Sequence, residues 1–421
     1  MLRGVLLDTR PLRIPAYRRL LTSTAVSAVG SQLTAVAVPY EVFRITGSSA
    51  WVGIASGAGL VPLVVFSLWG GSVADVLDRR RLMAVSLGGI VAASALLAVH
   101  AASGLESVAA LIALVVVQQA FFGLYAPARG AAVPRLVPAS QLAAAMALST
   151  TVFGVGAVAG PLAAGALIPL VGLPTLYAVD AVGLLLAVLL VLRLPAMPAG
   201  GAPGRRAGPG SVVEGFRYIA ARQVLLVSFV ADVLAMVLGM PRALFPEMAR
   251  DVYGGPADGG LALGVLYAAI PVGALLGGLF SGRVVRMRRH GLLVLVSVAA
   301  WGVAVALVGL TTSLWVAAVL LAAAGAADLA SMVFRGAILQ TAAPDEMRGR
   351  MQGVFTVVVV GGPRLADLVH GAAGEVLGPR LAVGLGGVLV VLAVGVLALR
   401  ATEFRRYVAP ADADSPVDRT P

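Results

Sequence analysis

The sequence predicts an all-α membrane protein of twelve transmembrane helices arranged as two pseudo-symmetric six-helix bundles. Three observations carry this expectation. Hydrophobic residues make up 59% of the 421 residues and charged residues only 12%, about half the charged share of a typical soluble domain. About a dozen apolar runs approach the roughly 20 residues that a spanning helix needs. A Pro/Gly-rich stretch, residues 195–210 (PAMPAGGAPGRRAGPG), divides the chain near its middle and holds no regular element.

Apolar runs and the breakers between them place the spans at 19–43, 50–73, 82–102, 107–128, 141–169, 173–193, 223–245, 261–282, 291–311, 314–338, 351–376 and 380–400. Helices are the expected form, because backbone in lipid must satisfy its own hydrogen bonds. Residues 1–18 carry Arg but no compact apolar core with a small-residue cleavage site, and read as a tail rather than a signal peptide. The first bundle is then 19–194 and the linker 195–222. Within the linker, SVVEGFRYIAAR sets Val212, Val213, Phe216, Ile219 and Ala220 on one helical face beside Arg217 and Arg222. That pattern suits a short surface helix; an early start to the seventh span is the alternative. The second bundle is 223–400, and residues 401–421 form a polar tail.

Charge placement orients the chain. Of the 31 cations, all Arg, 26 fall at the termini and in the even-numbered loops; Arg44, Arg242, Arg250 and Arg380 lie on the other side, and Arg364 within a span. By the positive-inside tendency both termini face the cytoplasm. The net charge of +11 suggests a nucleic-acid binder only until this distribution is seen. The all-Arg composition suggests a GC-rich bacterial genome and hence an inner-membrane location. With no Cys, disulfides, thiolate metal sites and cysteine nucleophiles are excluded. The three His, at 100, 290 and 370, are too scattered for a metal centre.

The halves also repeat. Arg129-Gly130 followed by Pro138 recurs 206 residues later as Arg335-Gly336 followed by Pro344, Glu41 meets Glu247, and Gly156 meets Gly362. Gly70-Gly71 meets Gly277-Gly278 at 207, so small compensating insertions are needed.

Between the second and third spans residues 70–81 read GGSVADVLDRRR. The glycines let two helices approach closely, Asp75 sits where the run leaves the membrane, and three arginines hold the turn on one side. This string resembles the signature loop between helices 2 and 3 of the major facilitator superfamily of secondary transporters. It matches at Gly71, Val73, Ala74 and Asp75, has Asp78 in place of the usual glycine, and continues with Arg79 to Arg81. The resemblance implies two parallel six-helix repeats around a central site and a cytoplasmic gate of Gly71, Asp75, Arg79 and Arg80. Asp75 would lie against the positive start of the eleventh helix near Met351, with Arg79 holding it. The arginines alone are equally explained by topology. The second-half counterpart of Asp75 is Gly282, so the expected latch is one-sided.

The fifth span contains Gly156, Gly160, Pro161 and Gly165 in the string GAVAGPLAAG. It resembles the GxxxGPxxGG motif of proton-driven exporters, with Ala164 replacing one glycine. Small residues four apart also serve close helix packing in general, and Pro161 bends the helix.

Acids within spans are expensive and mark function. Asp232 and Asp328 fall at comparable depth in the seventh and tenth spans, which line the central cavity in the superfamily fold. An acid in such surroundings is costly as an ion and suits proton coupling; a buried structural hydrogen bond is the rival. Arg364, Asp367 and His370 recur every three residues and share a broad helix face beside Pro363. They read either as a static ion pair or as Asp367 exchanging protons while Arg364 meets an anionic or catechol-like substrate. Gln118, Gln119 and Tyr267 are further cavity candidates. Asp180 lies on a scaffold helix of that fold and reads as structural. Glu41 and Glu247 lie near the outer ends, where they could gate the exit or simply be solvated.

Three further strings, RITGSS (44–49), LGVLYAAIPVGALLGGLFSG (263–282) and LQTAAPDEMRGRMQGVF (339–355), resemble the siderophore-exporting and multidrug-efflux branch of the superfamily. The similarity runs from about Tyr17 to Arg400. It implies a monomeric, proton-driven exporter of siderophore-like or other small amphipathic molecules, with the proton gradient in place of any cofactor. A general multidrug or macrolide antiporter is the first alternative. A membrane-embedded enzyme or lipid-handling protein is the alternative of another class. It finds no phosphate-binding loop, metal cluster or nucleophile–base pair in the chain.

Overall fold

The computed structural model describes residues 8–198, 209–255, 260–279, 287–342 and 345–408. Among them there is no strand. The first half contains α1 (Pro15–Thr46), α2 (Ser49–Ala58), α3 (Leu60–Val76), α4 (Arg79–Ser103), α5 (Val108–Leu136) and α6 (Leu142–Leu192). A linker helix, α7 (Pro209–Ala220), follows. The second half contains α8 (Gln223–Gly239), α9 (Leu261–Leu279), α10 (His290–Leu310), α11 (Leu314–Ala342), α12 (Asp345–Leu377) and α13 (Pro379–Arg400).

Ten described helical stretches are long and apolar enough to cross a membrane. The longest, Ala139–Leu192, reverses at Gly172, whose φ of 74° and ψ of 167° interrupt the helix. Only glycine takes that backbone conformation without strain, so α6 is two antiparallel passes. α2 and α3 form one pass broken at Gly59. With α12, the arrangement is compatible with twelve passes. Side chains on the outside of the bundle are apolar: Val61, Val85, Leu170 and Leu381 are each more than 60% exposed. That is the reverse of a soluble protein and is what a lipid solvent requires.

Two expectations from the sequence change here, and a third lies outside the described residues. The eleventh pass begins at Asp345 rather than near Met351, so the helix end expected to face Asp75 lies about two turns earlier. The side chains of Gly71 and Asp75, and all of Gly282, lie outside the described residues. Arg129, just beyond the fourth span given above, and Arg335, near the end of the tenth, sit inside α5 and α11 at the same register, 21 residues after each helix start.

Asp78, the departure from the loop motif, has a structural task. Its carboxylate caps α4 by accepting from the Arg80 and Arg81 backbone N–H groups at 2.8 and 3.3 Å. It also accepts from the Met197 N–H at 3.2 Å. Arg79 N–H and Arg80 Nη1 donate to the carbonyls of Met197 and Leu194. The loop therefore clamps the exit of α6. In the linker helix, Ile219 is buried while Phe216 is exposed. Asp78→Ala should remove the cap, worth about 1 kcal/mol, and free the Met197 N–H. Thermal unfolding of the purified protein should then show a midpoint lower by a few degrees, and an unchanged midpoint would contradict the clamp.

Candidate functional site

A cavity of about 360 Å³ lies between the halves. Its first-half wall comes mainly from α1, α2 and α5, and its second-half wall from Arg242, Ala243, Tyr267, Pro363, Arg364 and Asp367. Several short polar side chains, Ser27, Ser31, Gln32 and Ser56 among them, face it beside the rings of Phe122, Tyr125 and Phe153.

Arg364 and Asp367 each reach across to the other half. Arg364 Nη2 donates to Gln119 Oε1 at 2.7 Å and its Nη1 to the Val360 carbonyl at 3.2 Å. Ser56 Oγ donates to Asp367 Oδ2 at 2.5 Å. The two are not paired with one another within 4.0 Å, so the static ion pair considered from the sequence does not form. Tyr267 donates from its hydroxyl to the Arg242 carbonyl at 3.1 Å. The Arg242 guanidinium carbon lies 5.6 Å from the centre of the Tyr267 ring. On the first-half wall a chain of hydrogen bonds runs from Gln118 through Ser94 to Asp180, which also accepts from Thr34. Asp180 thus ties α1, α4 and α6 together.

The cavity is shut at one end by a seam in which α2 meets α12 and the segment that follows α8. Along it Ser48 Oγ donates to Glu375 at 2.6 Å, Ser49 Oγ to Glu247 at 2.5 Å, and Ser56 to Asp367. Small residues make the approach possible: a Cβ on Gly53 would meet the backbone of Asp367 and Leu368, and one on Gly371 would meet Ser49 and Gly53. Glu247 is therefore half-buried in the seam rather than simply solvated. Glu41 is not solvated either. It is 1% exposed, accepts from the Tyr177 hydroxyl at 2.7 Å and lies 3.4 Å from His100 Nδ1.

The motif of the fifth pass divides between two contacts. Gly156 and Gly160 face Ala28, Val29 and Gln32 of α1, whereas Gly165 packs on Gly260 and Gly264 of the other half. Pro161 offers its carbonyl to the same seam beside Gly264.

Asp232 and Asp328 do not line the cavity. Asp232, 1% exposed, pairs with buried Arg335 inside the second half. Arg335 Nε donates to Ser331, and its Nη2 lies 3.9 Å from Asp328. His370 is likewise outside the cavity lining; its Nε2 meets the Leu238 carbonyl at 3.0 Å and holds α12 against α8. The structure therefore gathers Gln118, Gln119, Tyr267, Arg364 and Asp367 at the cavity and leaves out Asp232, Asp328 and His370. Sequence reasoning missed Arg129, Arg242 and Ser56. Arg242 follows a Pro at the end of an apolar run and reads as a loop cation, and no local signal shows that the chain turns back inward there.

The model of the transmembrane secretion effector family matches residues 8–416. The enterobactin exporter EntS of Shigella boydii serotype 18 is 31% identical over 400 residues, covering 93% of each chain. That of Escherichia coli O139:H28 is 30% identical over the same coverage. Among solved structures, a bacterial homolog of the human lysosomal transporter Spinster, inward-facing and occupied, superposes with a TM-score of 0.75. It is 16% identical, and the match covers 96% of this chain and 100% of that one. A D-xylose–proton symporter gives 0.70 at 13% identity, covering 91% and 97%. At these identities the structures establish the fold.

The seam makes a measurable claim, helped by the absence of Cys. Spin labels on L105C and V376C, both exposed positions in opposite halves, should report a longer distance when Gly53→Leu is added. An unchanged distance distribution would mean that Gly53 does not hold the seam closed.

Proposed function

The chain belongs to the transmembrane secretion effector family of the major facilitator superfamily, a multi-pass membrane transporter and not an enzyme, and we propose that it exports small amphipathic molecules, siderophore-like compounds among them, in exchange for protons. The curated relatives named as enterobactin exporters support the direction and the substrate class. The single observation that carries the coupling is the position of Asp367. It lines the cavity and at the same time belongs to the seam that closes one end.

The Arg distribution supports cytoplasmic termini and, with them, an α2–α12 seam on the outer side. An ionised carboxylate resists enclosure in a dry seam, whereas a neutral acid packs there with its serine partner. A proton taken up by Asp367 from outside favours the closed seam, and its release into the cavity favours opening. Substrate acts on the same helix through Arg364, whose hydrogen bond to Gln119 is the other strap across the halves. Proton and substrate thus bias one two-state element from neighbouring positions, as coupling requires. Asp232 and Asp328, both disposed around Arg335, are the competing coupling site. Asp75, with Arg79, Arg80 and Gly71, is proposed as the cytoplasmic gate, facing the start of α12 at Asp345. The protein works as a monomer in the bacterial inner membrane.

A general multidrug exporter is the second reading, favoured by the aromatic surface of Phe122, Phe153 and Tyr267 in the cavity.

Two measurements in proteoliposomes test the coupling. Asp367→Asn, which keeps an acceptor for Ser56 but cannot bind or release a proton, should abolish proton-driven efflux while substrate counterflow without a gradient persists. Full proton-driven efflux in this variant, with loss in Asp232→Asn or Asp328→Asn, moves the coupling site to Arg335 and its acids. For the gate, Asp75→Asn should slow turnover without reducing expression, and unchanged transport would remove Asp75 from the mechanism.

A further inference from the structure

The cavity carries more positive charge than its acids can balance. Arg129 lines it from the first half, and Arg242 and Arg364 from the second. Among the described residues none of the three has a carboxylate within 4.0 Å. The donors of Arg364 meet only the neutral oxygens of Gln119 and Val360. Two acids line the same space: Asp180 is taken up by Thr34 and Ser94, and Asp367, which accepts from Ser56, faces Arg242 and Arg364 beyond ion-pair distance. Even with both ionised, one positive charge remains in excess.

The repeat supplies an internal control. Arg129 and Arg335 occupy the same register of equivalent helices. Arg335 is matched by Asp232 of its own half. Arg129 has no such acid and faces the cavity. A guanidinium within a membrane is expensive unless something answers its charge, and its planar fork suits a carboxylate or another oxyanion. In the second half the chain provides that partner, and in the cavity it does not.

We infer that the transported molecule is an amphipathic anion, its acidic group held by Arg242 and Arg364 with Arg129 on the facing wall. The apolar part lies against Phe122 and Tyr267. This assignment rests on the exporter reading and adds the charge of the substrate to it. It has an energetic consequence. An anion moving outward travels toward the positive side of the membrane, so the membrane potential assists export beyond any proton exchange. One charge biases the distribution about 50-fold per 100 mV.

Dansylglycine and dansylamide share a fluorophore and differ in one carboxylate, and ethidium supplies a cation. With the full-length protein in nanodiscs, equilibrium dialysis should show dansylglycine bound at least tenfold more tightly than dansylamide, with ethidium weaker still. Arg242→Gln and Arg364→Gln should each weaken dansylglycine about tenfold and leave dansylamide unchanged. Arg364→Lys, which keeps the charge but not the planar fork, should recover part of the dansylglycine binding that Arg364→Gln loses and shows that the site rather than the fold was altered. In proteoliposomes a potassium diffusion potential should speed dansylglycine flux toward the positive side and leave dansylamide flux unaffected. No dansylglycine binding, equal binding of dansylamide or ethidium, or indifference to both Gln variants overturns the anion site. Counterflow of dansylamide or ethidium with no preference for dansylglycine would spare the exporter reading and remove only this inference. Dansylglycine binding without counterflow of any probe would do the opposite.

Discussion

A bilayer offers no hydrogen-bond partner, and the rest of this structure depends on that constraint. Each polar group within the spans must be answered by another part of the protein or by what the protein carries. Asp180 is answered by Thr34 and Ser94, Asp232 by Arg335, and Glu41 by Tyr177. These clusters lie within one half and tie its helices together. Polar groups that meet across the halves are of another kind. Among the described residues they are single hydrogen bonds, from Arg364 to Gln119 and from the seam serines to their acids. Strong pairing inside each half and light pairing between the described residues of the two halves sets each bundle apart as a unit.

Close contact between the halves depends on small residues rather than on adhesion. Hydrophobic burial drives no association in lipid, so packing must be intimate to hold. Gly53 with Gly371, and Gly165 with Gly264, bring backbones together at the closed end. The glycines that resemble an export motif thereby acquire a mechanical meaning: two set α6 on α1, and one meets the opposite half.

The two halves share a register and differ in chemistry. Equivalent positions carry Arg129 and Arg335, yet only the second half supplies Asp232. The one-sidedness expected of the 70–81 loop, with Gly282 opposite Asp75 in the repeat, is a second instance in the sequence itself. Duplication explains the architecture, and divergence at a few charged positions explains how a symmetric shell can hold an asymmetric site.

Much of the architecture was legible in the chain alone. Apolar run length determines that helices span, because lipid leaves no other solution, and Gly and Pro mark where they end; even the break at Gly172 falls between two runs read as separate. Candidate residues within spans were legible too, since a charge there is always conspicuous. What the sequence could not decide is which charges face one another. Asp232 and Asp367 look alike as isolated acids in apolar runs, and one is enclosed by Arg335 while the other closes the cavity. Arg242 and Arg335 look like cations at the ends of apolar runs, and one lines the cavity while the other balances a buried acid. Pairing depends on helix rotation and on contacts hundreds of residues apart, neither of which hydropathy encodes. Sequence determined that this chain spans a membrane as a repeated bundle; tertiary packing decided which of its charges were satisfied from within and which were left facing the cavity.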